Sequence, residues 1–300
     1  MRTAFIESLI EAAERDETIW LLNADLGYSV LEAFEKRFPD RYLNVGVAEQ
    51  NMIGIAAGLA MSGFKVFVYS IANFPTLRCL EQIRVDVCYH QAHVIIAAVG
   101  GGFAYGSQGY THHAIEDLAV MRALPGMRVT APRALVNHLI DTPGPAYLRL
   151  GRAGEKNVHE GPLKSSPVSP IVVRDGNDLV IVSTGAMLVE AVMAADRLDA
   201  LGVRAKIISL PMLKPLDEEA LLASIAGLPL VVTLEEHSKI GGLRDTIAPL
   251  LASMAAHPRL LAFGVEDGAT FGAIFDQDGM RQHCGISADQ VVKGITEFLS

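Results

Sequence analysis

The chain has 300 residues, half of them hydrophobic and 20% charged, with 27 glycines and a formal net charge of −9. That length suits two domains of ordinary size, and the composition excludes disordered and fibrous classes in favour of a globular protein built on buried sheets. The negative balance argues against nonspecific nucleic-acid binding and against docking on anionic membranes, while a few local arginines would still suffice for phosphorylated small molecules.

A helix predicted over 3–14 opens the chain, amphipathic and without the apolar core of a signal peptide. No uninterrupted apolar run anywhere reaches the length of a membrane span. A strand at 18–23 follows, and then a short extended stretch enters a helix over 50–61 made almost wholly of small and apolar residues. A helix apolar all round is expected to be buried on every side. Glu49 stands at its mouth, where free N–H groups and the helix dipole favour a negative charge. Two readings are open: Glu49 and Gln50 cap the helix, or Glu49 is a carboxylate held in a dry site to share a proton with a ligand.

A strand at 65–70 and a helix over 76–89 come next. His90 and His93 have a metal-ligand spacing, but no nearby carboxylate or thiolate completes a set, and no metal site is expected. The strand at 94–99 runs into the glycine-rich stretch Val99 to His113, which emerges at the end of a parallel sheet where ligands bind. It lacks the spacing and following helix of a dinucleotide fingerprint, which excludes NAD. His112 and His113 close it; adjacent side chains point different ways, so one of them is enough to face a ligand. After a helix over 115–123 come strands at 128–131 and 146–150, with a stunted helix at 134–140 between them. Arg149 and Arg152 flank the end of the last strand and Arg2 opens the first helix; guanidinium forks suit phosphate, a solvated surface position being the alternative for each.

Residues 151–170 lose periodicity and gather glycine, serine and proline, as an interdomain linker does. The alternation then restarts, with strands at 179–183, 205–210 and 230–235 and helices at 187–201, 216–225, 243–254 and 288–298. Short apolar runs alternating with helices mark an α/β fold with a mostly parallel sheet. His237 reads as a packing residue. Cys79, Cys88 and Cys284, an odd set without metal spacing, read as reduced thiols of a cytoplasmic protein.

Taken together, the motifs resemble the C-terminal half of transketolases and of the related 1-deoxyxylulose-5-phosphate synthases. Gly46-Val47-Ala48-Glu49-Gln50-Asn51 is similar to the most diagnostic motif of that family. Arg2 through Asp25-Leu26-Gly27, Ala72-Asn73-Phe74, Glu81-Gln82-Ile83-Arg84, Thr111-His112-His113 and Glu116-Asp117 follow its order. Leu213-Lys214-Pro215-Leu216-Asp217, Glu235-Glu236-His237 and Gly241-Gly242-Leu243 look like its C-terminal domain. The resemblance implies two α/β domains: a thiamine-diphosphate pyrimidine-binding domain at 1–155 with a mostly parallel sheet, a linker at 156–175, and a transketolase C-terminal-like domain at 176–300.

It also implies thiamine diphosphate chemistry, in which the cofactor transfers a two-carbon ketol unit from a ketose to an aldose, either of them a free sugar or a phosphate. Glu49 would hydrogen-bond N1′ of the aminopyrimidine and favour its imino tautomer, and Phe74 would stack on the ring. His112 matches the substrate-facing histidine, with His113 and Gln108 beside it. Arg2, Ser29, Arg149 and Arg152 fall where substrate phosphate is held. The Gly-Asp-Gly motif and downstream asparagine that bind Mg²⁺ and the diphosphate are not found, the nearest string being Asp175-Gly176-Asn177-Asp178. The expectation is a split enzyme whose N-terminal partner subunit supplies that half-site, as an α₂β₂ assembly with the cofactor shared between subunits. The family usually has aspartate at Gln108, a histidine within Gly100–Gly102 and an aromatic residue at Leu80, and a longer interval between Pro132 and Arg149. These departures leave sugar stereochemistry and phosphate recognition open. Two alternatives stand beside this reading: the β-subunit of a 2-oxoacid dehydrogenase-like enzyme, and a noncatalytic stabilising subunit.

Overall fold

The computed structural model describes residues 2–131, 135–152, 158, 166 and 168–300, with the side chains of Arg2 and Thr3 left outside the description. The chain forms two compact units, one of residues 1–101 and 120–155, the other of residues 102–119 and 156–300.

Along the first half run α1 (Arg2–Arg15), β1 (Ile19–Asn23), α2 (Glu32–Arg37), β2 (Tyr42–Asn44), α3 (Glu49–Met61), β3 (Lys65–Ile71), α4 (Leu80–Gln82), β4 (Val94–Val99), α5 (Asp117–Ala123), β5 (Arg128–Thr130), α6 (Val136–Asp141) and β6 (Ala146–Leu150). The strands of the first unit lie in the order β2-β1-β3-β4-β6-β5, and every adjacent pair is parallel. Continuous apolar runs make this possible. All six residues of β4 are buried, as a strand covered on both faces requires. Parallel pairing puts the carboxyl ends of these strands along one edge. The chain leaves β1 for β2 on one side and β3 for β4 on the other, so the β1–β3 neighbourhood is a topological switch point.

Helix α3 departs from the expected burial on every side. It buries Glu49, Met52, Ile53, Ala56 and Ala57, positions that recur at helical spacing on one face. Gln50, Asn51, Gly54, Gly58 and Met61 are exposed. Small residues raise the apolar content of a helix without filling space on its second face. The expected helix over 76–89 is three shorter pieces: a 3₁₀ turn at Leu77–Cys79, then α4, then a π-helical stretch at Ile83–Tyr89.

The second half contains β7 (Ile171–Arg174), β8 (Leu179–Ser183), α7 (Leu188–Asp199), β9 (Ala205–Ser209), β10 (Met212–Lys214), α8 (Glu218–Ile225), β11 (Leu230–Ser238), α9 (Leu243–Ala252), β12 (Arg259–Val265), α10 (Gln277–His283) and α11 (Ala288–Leu299). Its sheet runs β12-β11-β8-β9-β7, parallel except for the antiparallel edge strand β7. Ile181, Ile207 and Val232 of the sheet pack with Ala194 and Leu198 of α7 and with Val291 and Ile295 of α11.

Residues 102–119, within the stretch 1–155 that the sequence assigns to the first domain, pack with this core. Two apolar anchors, Phe103 and Ile115, are buried in the second unit's cluster. Half of the expected linker at 156–175 lies outside the described residues, and β7 occupies the end of it.

Candidate functional site

The turn that delivers Glu49 is built from loops at the carboxyl edge of the first unit's sheet. The Asn44 side chain accepts the Asp25 and Gly46 N–H groups, each at 3.0 Å, and donates to Asp25 Oδ1 at 3.2 Å. Asn23 Nδ2 donates to the Leu26 carbonyl at 2.6 Å. These bonds tie the loop after β1 to the loop after β2, and α3 then starts at Glu49 with Ala48 as an N-cap that has no side-chain cap bond.

The Glu49 carboxylate is only 2% exposed. Its Oε2 accepts from Arg78 Nη1 at 2.6 Å, a charge-assisted bond. The Arg78 guanidinium also lies 4.6 Å from the centroid of the Phe74 ring. Gln50 Nε2 donates to the Arg78 carbonyl at 3.1 Å, which holds the turn after β3 against the start of α3. The capping reading therefore gives way, because both polar side chains of the first turn reach Arg78. Cys79, buried next to this pair, has its thiol pushed up to about 12 by burial and by the Glu49 charge. Glu49 and Phe74 are thus brought together, with a flat cation bonded to one and resting on the other. The same donor set, a buried acceptor beside an aromatic face, fits a flat ring that donates a proton, as an aminopyrimidine does.

Arg78 was missed at the level of sequence. It stands 29 positions from Glu49, and no helical or strand period links the two. The one available hint was its place in a turn directly after Phe74-Pro75, at the carboxyl end of a predicted strand.

Ser29 is exposed on the loop after β1, where its N–H donates to Glu32 Oε1 at 2.6 Å. Arg149, in β6, is buried beneath the backbone of Gly101 rather than solvated at the surface. Arg152 is exposed just past the same strand. These residues share the carboxyl edge with Glu49 through their strands. The side chain of Arg2 lies outside the described residues.

Gln108, His112 and His113 belong to the second unit. Gln108 is exposed. His113 is 1% exposed, bonds the Gly106 carbonyl through Nε2 at 3.0 Å and meets the Phe103 ring edge-on at 5.2 Å. It serves the shape of the loop. His112 is half-buried, with Nδ1 3.0 Å from Thr111 Oγ1, and burial followed by the neighbouring His113 holds its pKa below the usual histidine range. Of the tandem pair, His112 is the more open.

The segment that carries them is pinned within the second unit. Gly102 and Ala114 form an isolated bridge, Ser238 N–H donates to the Ile115 carbonyl at 2.8 Å, and Ala119 N–H donates to His237 Nε2 at 3.3 Å. His237 is fully buried and its Nδ1–H donates to the Ser238 carbonyl at 2.7 Å, which fulfils its expected packing role. Glu235 accepts the N–H groups of Leu243 and Arg244 at 2.5 and 2.9 Å, capping α9. Glu236 takes Arg281 Nε at 2.8 Å, and Arg281 reaches Glu190 at 3.3 Å. A Cβ at Gly102, whose φ is +69°, would lie 2.4 Å from Glu236 Oε2, so only glycine lets the segment pass that close. These acidic residues hold the fold together.

A cavity of about 270 Å³ in the second unit, walled by Tyr110, Glu116, Ile240 and Phe271 among others, contains none of the predicted site residues. Among the described residues no group of three or more His, Cys, Asp or Glu could hold a metal ion, and His93 spends Nε2 on the Leu139 carbonyl at 2.9 Å. All three cysteines are free thiols. No helix of the described residues is long and apolar enough to cross a membrane.

Known proteins share both the sequence and the fold. Residues 1–153 match the family described as transketolase, pyrimidine binding domain, and residues 170–291 match transketolase, C-terminal domain. The chain is 37% identical to a putative transketolase C-terminal section of Methanocaldococcus jannaschii, covering 99% of this chain and 95% of that one. It is 35% identical to the B-type subunit of an apulose-4-phosphate transketolase of Phocaeicola vulgatus, covering 99% and 97%. A solved structure described as a split gene transketolase, inactive beta4 tetramer, superposes with a TM-score of 0.87 at 37% identity, covering 99% of this chain and 96% of that chain.

Proposed function

This chain belongs to the transketolase family, and from that premise we propose that it is the pyrimidine-binding subunit of a split, thiamine-diphosphate-dependent transketolase. The observation that carries the reading is the Glu49–Arg78–Phe74 constellation, a buried carboxylate and an aromatic ring joined by a flat cation. When bound, thiamine diphosphate supplies the carbon acid and electron sink needed to move a two-carbon ketol unit from a ketose to an aldose. Glu49 would hold a proton at N1′ of the aminopyrimidine, and Phe74 would stack on the ring. Burial of the carboxylate strengthens that hydrogen bond by keeping water from competing for it.

His112 would face the substrate oxygens. With its pKa lowered by burial, its imidazole is neutral at pH 7 and can both donate and accept a proton. Gln108, in place of the usual aspartate, would meet a sugar hydroxyl, with His113 shaping the loop behind it. Ser29, Arg149, Arg152 and Arg2 would hold a substrate phosphate. The N-terminal partner subunit would supply the diphosphate site and Mg²⁺, in an α₂β₂ assembly with the cofactor shared between subunits. Relatives of the same extent, one named as a single subunit of its enzyme and one as a C-terminal section, support the need for a partner, and so does a β4 tetramer described as inactive. The free thiols are in keeping with work in the cytoplasm.

The test is thiamine-diphosphate-dependent ketol transfer by this chain alone and mixed with its N-terminal partner, across sugar phosphates and free sugars. Activity in the mixture only is expected. Activity of the chain alone would sink the half-site argument. Turnover of 2-oxoacids in place of sugars would move the protein to the dehydrogenase-like class.

A further inference from the structure

Arg78 makes, within the chain itself, both of the contacts that the proposed site reserves for the pyrimidine. Its Nη1 bonds Glu49 Oε2 at 2.6 Å, and its guanidinium carbon lies 4.6 Å from the centroid of Phe74. A guanidinium is flat, delocalised and rich in N–H donors, which makes it a chemical counterpart of a protonated aminopyrimidine edge. A ring that bonds Glu49 Oε2 and stacks on the same face of Phe74 needs the space the guanidinium fills. We propose that Arg78 is a placeholder, which occupies the pyrimidine position in the cofactor-free chain and swings out when the cofactor enters.

The surroundings suit such an exchange. Glu49 is 2% exposed, and a buried carboxylate stripped of its partner is costly, so the site needs a cation until a ligand arrives. The Arg78 side chain is 45% exposed, so it has a path to water. Its carbonyl is held by Gln50, which lets the side chain leave by rotation about its own torsions while the turn stays in place. Only the arginine end of the pair is open to solvent, and a ligand that bonds Glu49 as Arg78 leaves spares the buried carboxylate the cost of standing unpaired. One consequence is that the cofactor-free chain keeps a closed, paired site. Another is that cofactor affinity is set partly by a bond the protein must give up. The inference rests on the proposed reading of Glu49 as the pyrimidine's partner.

The experiment is isothermal titration calorimetry of the full chain with thiamine, which carries the pyrimidine without the diphosphate, for wild type, Arg78→Met and Glu49→Gln at one ionic strength. Arg78→Met is expected to bind about fivefold more tightly than wild type, the worth of a half-exposed ion pair no longer in competition. Equal or weaker binding by Arg78→Met would overturn the placeholder, weaker binding marking Arg78 as a ligand of the pyrimidine. The side-chain ¹⁵N–¹H resonances of Arg78 in the wild-type chain give a readout that needs no variant to fold. They should shift and sharpen towards those of a free arginine as thiamine is added. Binding by the wild type with Arg78 unmoved would sink the placeholder alone. Absence of binding by wild type and Arg78→Met alike would sink the cofactor reading, and the placeholder with it.

Discussion

Replacing Glu49 with glutamine separates a chemical role from a structural one. Glutamine keeps an oxygen that can accept from Arg78, so the 2.6 Å contact survives as a neutral hydrogen bond. The lost charge assistance is worth about 1 kcal/mol for a pair whose arginine is 45% exposed. Part of that loss is offset because an amide is cheaper to bury than a carboxylate at a position 2% exposed. The net change in stability is therefore about 1 kcal/mol or less, a shift in Tm of about 2–4 °C for a domain of this size. Activity is another matter, since an amide cannot hold the proton that the pyrimidine must share. Proton-holding groups of this kind contribute about 10²–10⁴ in rate. The assays are thermal unfolding of the chain, complex formation with the partner subunit, and ketol transfer by the mixture. A Glu49→Gln chain that assembles normally but is reduced about a hundredfold or more in kcat is expected. Activity within about threefold of wild type would refute the catalytic role. A fall in Tm of about 10 °C would instead make Glu49 a folding residue.

Three further outcomes follow from the second unit and from the buried thiol. Arg281→Met leaves Glu236 and Glu190 as buried carboxylates, 2% and 9% exposed, without their shared cation, and should cost about 3–5 kcal/mol in urea unfolding; a loss under about 1 kcal/mol would show that the network is not paired in solution. Gly242→Ala places a Cβ 2.0 Å from Glu235 Oε2 and should displace the cap of α9, lowering stability by about 2 kcal/mol, whereas an unchanged unfolding midpoint would contradict the close approach. Cys79, raised to about 12 from 9.0, keeps its proton in the folded chain where the unfolded chain releases it. The folded state then binds more protons above pH 9, so stability falls as pH rises from about 9 towards 12. Alkylation by iodoacetamide at pH 8.5 should be slow at Cys79 in buffer and fast in urea, and equal rates would disprove the buried thiol.

Much of the fold was legible because parallel strands buried on both faces are continuous apolar runs. Val94–Val99, Leu179–Ser183 and Ala146–Leu150 fall where those runs predict. The strands that escaped notice lie at sheet edges. Ile171–Arg174 and Arg259–Val265 are short, largely apolar runs without alternation, IVVR and RLLAFGV, and periodicity alone does not tell such a run from a piece of helix or loop. Helices Glu32–Arg37 and Gln277–His283 are short, mostly polar, and stabilised by packing more than by propensity.

The candidate site divides in the same way. Glu49, Phe74 and His112 were legible because each sits in a local motif at the end of a strand. Arg78 was not, because its partner is 29 residues away and the contact exists only once β3 lies beside β1 and the turn after β3 meets the start of α3. His112 and His113 look alike in sequence, yet a single ring orientation buries one against Phe103 and leaves the other half-open. The amino-acid sequence by itself determined the α/β class, the parallel strands and the family, since these follow from local periodicity and from residues adjacent in the chain. The tertiary structure alone decided that residues 102–119 join the second unit, that α3 has an exposed face, and that Glu49 is held by a cation. Each of those depends on which distant surfaces meet, and the free energy of burying Phe103 and Ile115, or of pairing a buried carboxylate, has no counterpart in the order of neighbouring residues.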